Sequence, residues 1–479
     1  MSRSATSRRR PSRATSSSST IRSPGRPSPR PAARPKSTAA RSSAMNVATP
    51  SASSPRSWEE IRHRLDHGPV FNGMRGTPYY REAVYEHFSP AEYRRRHAAL
   101  RAKMQELALD VVICPGGPSH WSFGGGMTWL SGHWEWHALA NYVVFPREGE
   151  PTLVYSMGGT HCEAVRRETA GALSDVRSSR NGQFGRVMAE RIRELGCEKG
   201  RIGLLEVDPR HGDYLPVNQY NALKEALPEA ELVFTKGIMH ELLSVHSEEE
   251  LDCVRHAGRL CTAAMEAIAA RARPGVTEYQ LRAAAGAAIL EGNGDIDFLI
   301  IGSTPMADPA QVFGNPRPSS RRLEPGDIIL MELAAGYRGF SAQIGQPICL
   351  GEPPAELRRF WDEIARPGYE RMIAAIGPGK PVDGLRIAGQ FFREKGVQSR
   401  PIHVHGIDFV SDGPHVFQDH IDVEPFEEIM KPGMVLMPEP NPITADGMLG
   451  MFVGHTFIVT ATGKECVDDW PLELTIVQP

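Results

Sequence analysis

Two stretches of this chain repeat each other, and the repeat limits what it can fold into. "PGVTEYQLR" begins at Pro274 and "PGKPVDGLR" at Pro378, and each has Leu and Arg seven and eight residues after its proline (Leu281, Arg282; Leu385, Arg386). Helical stretches follow, "AAAGAAILEGN" and "IAGQFFREKGV". Further on, "EPGDIILME" and "KPGMVLMPE" match again, with Glu332 seven residues after Pro325 and Glu439 seven after Pro432. The landmark prolines lie 51 residues apart in one copy and 54 in the other. Two copies make a duplicated α/β unit rather than a solenoid, which needs three or more repeats. A duplicated unit packs about a pseudo-twofold axis. Glu332 and Glu439 are then expected at the ends of equivalent strands, facing one shared centre.

The 479 residues are enough for about two to three domains. With 41% hydrophobic and 23% charged residues the chain can bury a sizeable core. No apolar run approaches membrane-spanning length, so no membrane association is expected. Seven cysteines (114, 162, 197, 253, 261, 349, 466) form no CxxC pair. They suggest neither a zinc knuckle nor a disulfide framework and suit a reducing, cytoplasmic compartment.

The net charge of −3 hides an asymmetry. Residues 1–57 hold twelve Lys or Arg and no acid, so the remainder has 42 basic against 57 acidic residues, near −15. An acidic body argues against nucleic acid and favours a cationic, zwitterionic or neutral small substrate. Residues 1–57 are almost wholly Ser, Arg, Pro, Ala and Thr and are predicted to be disordered. An upstream start with Met45 as the true beginning, a basic interaction tail and a transit peptide all stay open, though repeated prolines oppose the amphipathic helix of the last.

Order is expected from Trp58. "SPAEYRRRHAALRAKMQELAL" reads as a helix with Ser89 as N-cap and Glu92 three residues on. "DVVICP" reads as a strand, and "NYVVFP" and "PTLVYS" as a hairpin over "REGE". "RIGLLEVD" is a further strand after the helical "FGRVMAERIRELGC". Strands alternating with helices make residues 58–240 an α/β domain. "SEEELDCVRHAGRLCTAAMEAIAARA", with Ser247 and Glu250 in capping-box register, opens a second domain over 241–479.

These segments together resemble the creatinase/aminopeptidase P/prolidase (peptidase M24) superfamily. The carriers are "SEEELDCVRHAG", the paired PG segments, "PGDIILMELAAGYRGF", "HVHGIDF" and "PGMVLMPEPNP". The resemblance implies an α/β (α+β) chain: a creatinase-type N-terminal domain, then a pita-bread catalytic domain built from the duplicated unit. Metal-dependent members carry two Asp eleven residues apart, a His and two Glu. By resemblance these positions fall on Glu332, Gln343, His405, Glu439 and Gly454. Gln is neutral and Gly has no side chain, so both bridging groups of an ion pair are gone.

The match is therefore closer to the metal-free creatinase and ectoine hydrolase-like members. It implies a C–N hydrolase acting on a small amide or amidine, with His405, Glu439 and Glu332 catalytic and no cofactor. The fallback is a single divalent ion on Glu332, His405 and Glu439, in a metal-dependent Xaa-Pro-type peptidase or lyase of the same fold. A non-catalytic ligand-binding protein is a third reading. The catalytic His of creatinase itself falls on Ala284, which sets this chain apart from a plain creatinase and leaves the substrate open.

Two carboxylates from the half-repeats would clamp a positive or delocalised nitrogen group. Their repulsion would raise one pKa, so that one could take a proton from water. His405 would protonate the leaving nitrogen. Gln343 would offer a fixed hydrogen bond. Asp412 falls by resemblance where the peptidases carry a second, substrate-contacting His, and His455 adjoins the missing Glu; both are candidate substrate contacts. In "SGHWEWHALANYVVFP", Trp136 stands by resemblance where creatinase has an aromatic residue reaching into the partner's active site. Trp136 and His137 are thus candidate substrate contacts, and a homodimer is expected. "FGGGM" lacks the spacing of a phosphate loop, and no HExxH or GxSxG is present.

Overall fold

The computed structural model describes residues 86–116, 125–134, 140–158, 160–206, 214–406, 414–417 and 428–479. The described residues belong to one compact unit. The expectations for residues 1–57, Trp136, His137 and Asp412 lie outside the described residues.

The first helix, Pro90–Glu106, starts where its sequence dictates: the Ser89 side chain accepts from Glu92 N, and Pro90 takes the first helical position, where no N–H is needed. It packs beside a six-stranded sheet ordered Asp175–Ser178, Thr152–Tyr155, Asn141–Pro146, Val111–Gly116, Arg201–Leu204, Glu231–Phe234. The expected hairpin is present, with Tyr142 opposite Val154. The Val111–Gly116 strand is buried throughout, which explains its unbroken apolar run.

The second domain opens on the helix Glu248–Arg271, closed at its start by the expected Ser247–Glu250 capping box. Glu250 also ties the domains together. Its carboxylate accepts from Trp129 Nε1 at 2.8 Å and pairs with Arg96 at 3.1 Å and Arg95 at 2.9 Å. Arg96 is fully buried, with its guanidinium 4.1 Å from the Phe88 ring centroid. A buried arginine at a seam is tolerable because two carboxylates and aromatic faces replace its water.

The duplication appears in the backbone. The glycines of the four Pro-Gly pairs, Gly275, Gly326, Gly379 and Gly433, all have positive φ, between 77° and 91°. That conformation favours glycine, and each pair turns the chain into the next element. In the first copy the helix Glu278–Glu291 precedes the strand Asp327–Tyr337. In the second, the helix Ile387–Glu394 precedes the strand Val435–Pro438.

Each of these strands sits inside its own sheet. Asp327–Tyr337 pairs with Asp295–Pro305, Phe340–Gly345 and Ile348–Leu350. Val435–Pro438 lies between Ile402–Gly406 and Phe457–Val459. The chain passes from one sheet to the other at a single residue. Gly454–His455 pairs with Phe340–Gly345, and Phe457–Val459 with Val435–Pro438, leaving Thr456 at the crossing. No helix among the described residues is long and apolar enough to cross a membrane.

Candidate active site

Glu332 lies within the first repeat's strand and Glu439 just past the end of the second's. Both are buried, 5% and 6% exposed. The amide of Gln343 joins them: its Nε2 donates to Glu332 Oε1 at 2.7 Å and to Glu439 Oε2 at 2.8 Å. The two carboxylates therefore face one point, as the repeat symmetry requires. Gln343 reaches that point because eleven residues along a hairpin bring it back beside its own strand, opposite Ala334.

His405, on the strand Ile402–Gly406, completes the group. Its Nε2 is 3.5 Å from Glu439 Oε2, while Nδ1 donates to the Gly406 carbonyl at 2.7 Å. With Nδ1 so held, Nε2 is the atom left to exchange protons. Arg400 stands at the other side, Nη1 3.8 Å from Glu332 Oε2, with its guanidinium 3.7 Å from the Phe313 ring centroid. Burial pushes the Glu332 carboxyl up to about 8, and the nearby Glu439 charge adds to this; Arg400 and His405 oppose it. Near neutral pH Glu332 thus holds a proton, and the pair of acids carries less than its formal charge.

His455 takes a different place. A Cβ on Gly454 would point at the Glu439 side chain, 3.2 Å away, so the next residue turns to the opposite face. The His455 ring instead meets Asp468 Oδ1 at 2.8 Å and Gln346 Oε1 at 3.3 Å. This corrects the expectation that it contacts substrate beside the missing Glu. His455, Cys466 and Asp468 bring three donor atoms within 4.8 Å of one another. Gln346 donates its amide to Pro471 O and Glu473 O, so its oxygen faces the imidazole.

Sequence reasoning missed Thr456 and Arg400. Thr456 Oγ1 accepts from Gln343 N at 2.8 Å and donates to Gln343 O at 2.9 Å. Its signal was alternation: it stands two residues after Gly454, on the same face. Arg400 gave no signal beyond its closeness to His405.

Two family models match the chain: the Creatinase/Prolidase N-terminal domain over residues 96–242 and Metallopeptidase family M24 over residues 252–461. The chain belongs to the creatinase and peptidase M24 superfamily. It is 22% identical over 423 residues to an ectoine hydrolase of Halomonas elongata, spanning 81% of this chain and 98% of that protein. It is 28% identical over 151 residues to a Xaa-Pro dipeptidase of Pyrococcus furiosus, spanning 31% of this chain and 41% of that protein. The structure of dipeptidase PepE from Mycobacterium ulcerans superposes with a TM-score of 0.64 at 23% identity, covering 82% of this chain and 100% of that one. The shared fold is the pita-bread fold, and the chain is an enzyme of this M24 superfamily.

The M24 name raises the question of metal. The donors here do not fit an ion pair. A neutral amide nitrogen already sits between the two carboxylates. At Gly454 no donor exists, and an added Cβ would lie 2.4 Å from Met437 Cε. A two-ion centre needs charged groups that bridge both ions, and neither position supplies one.

Proposed function

We propose that the chain hydrolyses a C–N bond of a small amide or amidine whose nitrogen group is positive or delocalised, and that it does so without metal. The observation that carries this reading is the Gln343 amide between Glu332 and Glu439. A hydrolase needs a base for water, a charge matched to the reacting group and an acid for the leaving nitrogen. Glu439 takes a proton from water, whose oxygen attacks the amide or amidine carbon. Glu332, largely protonated near neutral pH, clamps the substrate by hydrogen bond rather than by charge. Gln343 holds the two acids in register. The proton on Glu439 crosses the 3.5 Å gap to His405 Nε2, and the C–N bond breaks as Nε2 hands it to the leaving nitrogen.

The likeness to an ectoine hydrolase over most of both chains supports a small nitrogen compound rather than a long peptide as substrate. In the same reading the enzyme is a cytoplasmic homodimer, with Trp136 reaching the partner's pocket and His137 and Asp412 touching substrate. The seven cysteines, all free, suit that compartment.

The test is substrate loss followed by mass spectrometry across cyclic amidines, ureas, hydantoins and Xaa-Pro dipeptides, with EDTA and with added divalent ion. Turnover of an amidine or urea that survives EDTA supports the reading. Turnover of Xaa-Pro dipeptides only with added metal overturns it, and a ligand bound but never converted makes the protein a binder.

A further inference from the structure

Three chain segments meet at the buried imidazole of His455, on the face of its strand turned away from Glu439. Gln346 follows the strand Phe340–Gly345, which carries Gln343. His455 adjoins Thr456 at the crossing between the catalytic sheets. Asp468 follows the strand Lys464–Cys466. All three side chains are buried.

The orientation of Gln346 is fixed. Its Nε2 donates to Pro471 O at 2.9 Å and to Glu473 O at 2.7 Å; turned over, its oxygen would face two carbonyl oxygens. Oε1 therefore points at His455 Nε2, 3.3 Å away. The other ring nitrogen, Nδ1, meets Asp468 Oδ1 at 2.8 Å. The Asp468 carboxylate is itself anchored, accepting from Trp470 N at 3.3 Å and from the Cys466 thiol at 3.6 Å. Both ring nitrogens thus face oxygens that accept and do not donate. A neutral imidazole has one N–H and would set a lone pair against one of those oxygens, whereas an imidazolium has two. Asp468 supplies the opposite charge that a buried cation needs. The remaining titratable group against the ring is Tyr369, and burial keeps its phenol well above the ordinary range and so neutral.

We propose that His455 is held as an imidazolium and is a positioning residue for Gln343. Its ring ties the segment after the Gln343 strand to the segment that carries Asp468, and Thr456 stands between them. Val467 N donates to the Thr456 carbonyl at 3.1 Å, and the Thr456 hydroxyl holds both backbone polar groups of Gln343. With two ring protons, both contacts of His455 attract, and the crossing stays in register with Gln343. The effect on turnover rests on the hydrolytic reading; the charge and the clamp do not.

Nitrogen NMR of the histidine-labelled full chain, with hydrogen exchange, tests it. The expected spectrum contains an imidazole with two slowly exchanging N–H protons at mildly alkaline pH, where an exposed histidine has lost one. Asp468→Asn should remove that pair of signals and speed exchange at the Gln343 amide about tenfold or more, while the strand Val111–Gly116 keeps its protection. Asp468→Glu should restore both. Should Asp468→Asn not fold, Gln346→Leu keeps the ion pair, removes the acceptor on Nε2 and should speed exchange at Gln343 by less. In the hydrolytic reading, kcat of Asp468→Asn also falls roughly tenfold to a hundredfold. A neutral ring protonated at Nδ1 alone overturns the proposal, as does unchanged exchange at Gln343 in the variants. So does a divalent ion in place of the Nδ1 proton, held by His455, Cys466 and Asp468, whose donor atoms lie within 4.8 Å of one another. A doubly protonated ring and a loosened Gln343 in a protein without turnover support the proposal and count against the hydrolytic reading alone.

Discussion

Thr456 Oγ1 holds both backbone polar groups of Gln343, accepting from its N–H at 2.8 Å and donating to its carbonyl at 2.9 Å. Thr456 is also where the chain crosses between the two catalytic sheets. One hydroxyl thus fixes the amide that sits between the two acids. Thr456→Val keeps the shape and leaves two buried backbone groups without that partner, at a cost of about 1–3 kcal/mol. Denaturant unfolding should show that loss, and turnover should fall with it. Thr456→Ser should restore both.

Gln343→Glu replaces the bridging amide with a third carboxyl among two buried acids. Like charges that close keep protons or push apart. Thermal unfolding against pH should show the variant near parental stability in acid and increasingly below it as pH rises. A pH-independent difference would count against the two hydrogen bonds described.

Glu332 carries a raised pKa, about 8, so the sign of its effect is fixed. The protonated form suits the folded site. Its contribution is fully present below the unfolded value near 4.5 and is lost as pH rises through about 8. Glu332→Gln removes that dependence. Relative to the parent, the variant should gain stability as pH rises from about 4.5 to about 8, by up to about 1.4 kcal/mol per pH unit across that window. Paired melting curves at the two ends decide it.

Glu439→Gln and His405→Asn each remove one proton carrier. Each should lower kcat by roughly 10²–10⁴ while ligand binding persists. Unchanged turnover in Glu439→Gln would remove it from the mechanism. Arg96→Ala is the structural counterpart: it leaves Glu92 and Glu250 short of a buried partner and should cost about 3–5 kcal/mol in unfolding.

Much of this was legible in the residues. The paired Pro-Gly turns and the equal spacing from Pro325 to Glu332 and from Pro432 to Glu439 gave the pseudo-symmetric scaffold, because each step is local chain geometry. Gln343 was legible for the same reason: a hairpin carries its position. His455 was misjudged because neighbours on a strand face opposite ways, and proximity in sequence to Gly454 put it on the wrong face. The Arg96 and Arg338 environments could not be read. Their partners, Glu250 and Phe88 among them, lie 154 and 250 residues away in the chain.

Metal content of protein purified from medium supplemented with manganese, cobalt and zinc tests the central claim most directly. If the Gln343 amide stands where an ion pair would, no divalent ion should accompany the chain in stoichiometric amount, and EDTA should leave both its fold and its turnover unchanged. About two tightly held ions per chain, lost together with activity on chelation, would contradict the account.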